Sequence, residues 1–147
     1  MRRFYVAGSL ALLAASTVAA QGTVAIERSV FVEQAEMRGG QAVRELQPAT
    51  TLRKGDRVVL MLHWKAPGRD RDFVVSSKLP RDLAFRRSGG RDARVSIDGG
   101  KSWGRLEELR AGNRRATRED VTHLRWYVSD AEAALGSGTV SFAAVVR

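Results

Sequence analysis

His63, His123, Asp98 and Asp120 are the residues of this chain whose types could run acid–base or nucleophilic chemistry. A histidine held between a carboxylate and a serine is the arrangement that activates a hydroxyl nucleophile. No Gly-x-Ser-x-Gly elbow or comparable local device accompanies these residues, so nothing in the sequence presents a serine to such a base. Strand alternation places His63 beside Lys65 and His123 beside Arg125, both facing outward. A two-histidine metal site across neighbouring strands, completed by Glu33 or Asp120, is the remaining arrangement of these groups. Glu107 and Glu108 are adjacent in sequence, not opposed across a cleft as glycoside hydrolysis requires. The chain has no cysteine, which excludes thiol nucleophiles, thiolate metal sites and disulfides. The sequence therefore assigns no catalytic residue, no metal ligand and no cofactor, and the expectation is a protein that is not an enzyme.

Charge is the stronger signal. The formal net charge is +9 over 147 residues, with Arg2 and Arg3 contributing two of those charges. Most of the remaining excess lies in two short stretches. Residues 81–94 carry Arg81, Arg86, Arg87, Arg91 and Arg94 against Asp82 and Asp92, and residues 105–118 carry Arg105, Arg110, Arg114, Arg115 and Arg118 against Glu107 and Glu108. Two readings stand side by side. The arginines solvate loops of a basic protein, or Arg86, Arg87, Arg91, Arg94, Arg105, Arg110, Arg114, Arg115 and Arg118 form a docking face for an anionic polymer. The second reading implies charge-driven binding with no specific nucleic-acid recognition.

Between these stretches lies Ser96–Trp103, SIDGGKSW, which fits the Asp-box pattern S-x-D-x-G-x-[ST]-W. In such a hairpin the Asp98 carboxylate caps turn amides, Gly100 adopts a backbone conformation other residues resist, and Trp103 packs beneath. Ser96, Asp98, Gly100 and Trp103 are thus structural hairpin residues. Asp boxes occur in sialidase propellers, but a propeller needs several blades in a much longer chain. A single box is a hairpin device, not a sign of glycosidase activity.

The elements that must position these groups are strands. Residues 24–33 are β-rich, although Arg28 falls in line with Val24, Ile26, Val30 and Val32, which calls for a bulge or an edge position. Residues 35–50 read as a long loop or weak hairpin around Gly39-Gly40. In 57–65, Val58, Leu60, Leu62 and Trp64 face one way and Val59, Met61, His63 and Lys65 the other. Strands follow at 73–78, 83–87 and 94–97. In 121–128, Thr122, Leu124, Trp126 and Val128 alternate against Val121, His123, Arg125 and Tyr127, and 139–146 is nearly all apolar or small. Helix is confined to a turn or two at 105–111 and at 131–135. About seven short strands with frequent turn signals predict an all-β fold, an antiparallel immunoglobulin-like β-sandwich.

The first twenty residues read as an address. Arg2 and Arg3 precede an apolar Phe4–Ala15 core, and Val18-Ala19-Ala20 offers a cleavage site before Gln21. The alternative is an uncleaved N-terminal anchor, although the strongly apolar part is shorter than the roughly 20 residues a spanning helix needs. The expectation is a signal peptide at 1–20 and one sandwich domain at 21–147, exported to the periplasm or the cell surface, with no transmembrane helix after processing.

The series GDRVVLMLHW, KLPRDLAF, VSIDGGKSWG, DVTHLRWYVS and SGTVSFAAVVR resembles one copy of the bacterial exported "conserved repeat domain" catalogued as domain of unknown function eleven. The resemblance covers roughly residues 24–147. It departs from the family at Trp64-Lys65-Ala66-Pro67-Gly68, where the family more often has an Asn-x-Gly turn, and in showing one copy where arrays are usual. What it implies is an immunoglobulin-like sandwich that serves as a structural or interaction module of the envelope, without catalytic residues. The expected partner is an envelope protein or an anionic surface polymer such as acidic polysaccharide, lipopolysaccharide or extracellular DNA.

Overall fold

Alternating apolar residues and glycine-bearing turns divide the chain into ten strands in the computed structural model, which describes residues 23–147. The expected signal peptide lies outside the described residues. In chain order the strands are β1 (Ala25–Arg38), β2 (Gln41–Pro48), β3 (Arg57–Lys65), β4 (Phe73–Lys78), β5 (Leu83–Gly89), β6 (Arg94–Ser96), β7 (Arg110–Ala111), β8 (Arg114–Arg115), β9 (His123–Val128) and β10 (Ser137–Val146). One short helix, α1 (Asp130–Ala133), and two 3-10 turns, Leu106–Glu108 and Arg118–Asp120, complete the described residues.

The fold is all-β, antiparallel and sandwich-like. A five-stranded sheet in the order β2-β1-β3-β10-β5 faces a three-stranded sheet in the order β4-β9-β6, and β7 and β8 form a small separate hairpin. The inner faces are joined by apolar packing. Trp126 of β9 stacks on Phe142 of β10 at 6.2 Å between ring centroids, and Trp64 of β3 meets Phe73 of β4 edge-on at 5.2 Å. Val58, Leu62, Trp64, Leu124, Trp126, Val140 and Phe142 are all buried in one cluster, with Leu60 packed against it, as strand alternation predicts. Gly138, opposite Trp64 on β10, has no room for a side chain: a Cβ there would overlap the indole.

Three features refine the reading from sequence. Residues 35–50 form a true hairpin, in which Gly39 and Gly40 take positive φ of 59° and 81° between paired Arg38 and Gln41, as a tight two-residue turn requires. Arg28 sits where β1 is the sheet edge, because β2 pairs with β1 only from Phe31 onward. Val121 is buried rather than outward-facing. It follows a 3-10 turn and precedes the start of β9, so the alternation of β9 does not extend back to it.

Candidate anion-binding trough

The Ser96–Trp103 turn links β6 to the 3-10 turn at Leu106–Glu108, and it forms as its residues dictate. Asp98 Oδ1 accepts from the backbone N–H of Lys101 (3.1 Å) and Ser102 (2.9 Å) and from Ser96 Oγ (2.7 Å), while Ser102 Oγ donates to Oδ2. These donors hold the Asp98 carboxyl well below the usual carboxylate range, the Ser102 hydroxyl most of all. Gly100 has φ of 90° and donates its N–H to Ser96 Oγ, and Trp103 Nε1 donates to the Gly100 carbonyl. Backbone bonds between Val95 and Gly104 close the loop in both directions. The box thus pins the chain between its two arginine-rich stretches.

β5 supplies the decisive irregularity. Arg87 pairs with Ala143 and Phe85 with Ala144, which leaves Arg86 as an extra residue opposite β10. Such a bulge breaks the alternation of the strand and re-aims its side chains. After buried Leu83, Ala84 and Phe85, both Arg86 and Arg87 are exposed, and both line a trough between β5 and β6. Arg94 from β6, Arg105 from the start of the first 3-10 turn and Arg118 from the second line it as well, against two acids, Asp92 and Glu107. The trough has a volume of about 540 Å³. Among the described residues Arg87, Arg105 and Arg118 have no carboxylate within ion-pair distance. Arg86 and Arg94 make only long pairs, at 3.7 Å to Glu119 and 3.9 Å to Glu108.

The other four arginines stand elsewhere. Arg114 is bidentate on Asp120 at 2.7 Å through both nitrogens, which holds the Asp120 carboxyl far below its usual range and fastens the β7–β8 hairpin to the second 3-10 turn. Arg91 pairs with Glu132 of α1 at 2.6 Å and donates to the Tyr127 carbonyl. Arg110 donates to the Asn113 carbonyl within its own hairpin, and Arg115 lines a neighbouring depression that it shares with Arg118.

A second basic surface escaped the sequence reading. On the outer face of the smaller sheet Arg94 lies directly opposite Arg125, and Lys78 opposite His123. Like charges facing each other across strands work against the sheet. The Arg125 guanidinium lies over the Trp103 ring at 4.5 Å, which makes the half-buried Trp103 the tryptophan nearest the surface, in contrast to buried Trp64 and Trp126. The outward alternation of His123 and Arg125 was legible, but which residues oppose them depends on strand register.

The two histidines do not meet. His63 faces outward from the larger sheet and bonds Thr139 Oγ1 at 3.0 Å, and His123 faces outward from the smaller sheet and bonds Thr122 Oγ1 at 3.0 Å. β3 and β9 belong to different sheets, so the metal site across neighbouring strands does not assemble. Among the described residues no group of three or more His, Asp or Glu side chains gathers to hold a metal. No helix among them is long and apolar enough to cross a membrane.

No family model, curated protein or solved structure matches the chain.

Proposed function

We propose that this chain is a non-enzymatic, exported interaction module of the cell envelope that holds an anionic polymer in the trough between β5 and β6. The observation that carries the reading is the β5 bulge. It presents two consecutive arginines, Arg86 and Arg87, to the same trough as Arg94, Arg105 and Arg118. Concentrating guanidiniums that lack close carboxylates raises the local potential and leaves donors free for phosphate, sulfate or carboxylate groups. The resemblance to an exported repeat domain and the signal-peptide pattern support the envelope setting.

Binding of this kind reads charge density and not monomer order, so acidic polysaccharide, polyphosphate and DNA should all be retained at low salt. Retention should fall steeply as salt rises, because the release of counterions that drives it is lost. Replacing Arg87, Arg105 and Arg118 together by Ser should abolish retention on heparin and DNA columns while leaving the thermal midpoint nearly unchanged, since exposed charges contribute little to stability. Unchanged retention in the triple variant would remove the trough from the proposal, and no retention of the parent at low salt would remove polymer binding itself.

A further inference from the structure

The outer face of the five-stranded sheet carries Val59, Met61 and Ala143, all half-buried, where a solvated sheet face ordinarily carries polar residues. β5 bounds this apolar strip on one side. On the other, the β1–β2 hairpin continues past the last pairing of β1 with β3, at Val32, and brings Glu33 and Arg44 to the wall. The result is a groove in two adjoining lobes of about 440 and 360 Å³, a size typical of small-ligand sites.

Its charge is one-sided. Arg57 and Arg87 stand at the rim, and among the described residues neither has a carboxylate within ion-pair distance. Glu33, the one acid lining either lobe, is already paired with Arg44 at 3.2 Å and its side chain is only 14% exposed. An apolar floor beneath unpaired guanidiniums complements a molecule with a hydrocarbon tail and an anionic head. We propose that this groove binds a single-chain anionic lipid, with its acyl chain along Val59, Met61 and Ala143 and its head group at Arg57 and Arg87. The groove is distinct from the polymer trough, with which it shares the β5 arginines as a common wall.

Calorimetric titration with octyl and dodecyl phosphate, below their micelle concentrations, tests the proposal. Affinity should rise about fourfold per added methylene until the floor is covered. Inorganic phosphate should compete weakly, and dodecyltrimethylammonium should not bind. Met61→Glu places a charge on the floor and should abolish binding. Should that variant fold poorly, the double variant Arg57→Ser/Arg87→Ser, at exposed positions, should weaken dodecyl phosphate binding at least tenfold. Arg105→Ser/Arg118→Ser addresses the trough alone and should leave lipid binding intact while polymer retention falls. The proposal is overturned if affinity does not depend on chain length, if neither groove variant weakens it, or if the parent does not bind. It is also overturned if the parent self-associates through this face and Met61→Glu abolishes that association, because a second copy would then be the occupant.

Discussion

Asp98 is exposed, yet its carboxylate accepts four hydrogen bonds from the turn it closes. Its folded-state pKa is depressed, so its stabilising effect is complete above the unfolded value of about 3.9 and fades as pH falls toward the folded one. Asp98→Asn should therefore lower the urea midpoint at pH 7, and the gap from the parent should narrow progressively below about pH 4. An equal gap at pH 7 and pH 3 would show that the charge is not what these donors stabilise. The residue types of the box announced this turn, because its bonds are local and each partner lies within a few positions. Arg114 illustrates the opposite case. Nothing in its neighbourhood distinguished it from Arg115, and the bidentate pair that neutralises it depends on how the β7–β8 hairpin folds back on Asp120.

At the level of elements, strict alternation made β3 legible to the residue and placed Trp126 in the core beside Leu124 and Val128, while β4 was bounded by the turn before it. Trp126→Ala should cost about 3–5 kcal/mol through lost packing against Phe142. His123→Ala, on the opposite face of the same strand, should shift the midpoint far less. Comparable losses in a denaturant titration would contradict the facing of β9. Features fixed by pairing between distant segments were not legible. The bulge at Arg86 exists only relative to β10, and the opposition of Arg94 and Arg125 only relative to the register of β6 and β9. β2 was faint because all of its residues are exposed, so burial imposes no alternation on it.

The molecule as a whole joins two sheets without any disulfide between them, since it contains no cysteine. Its stability rests on one apolar cluster that draws on both sheets, and of the roughly 5–15 kcal/mol a domain of this kind possesses, a single buried indole represents a large share. The location of β10 adds a temporal constraint. The last strand of the chain lies inside the larger sheet, between β3 and β5, and contributes Val140, Phe142 and Ala144 to the core. A released chain ending before Ser137 has β3 and β5 but no β10 to join them, so it should remain open to protease, whereas one extended through Val146 should become resistant in a single step. Pulse proteolysis of released chains of increasing length would reveal that step, and gradual protection beginning before Ser137 would contradict it. Closure of the larger sheet should therefore wait until β10 has been made, which would keep the preceding polypeptide threadable for the proposed export.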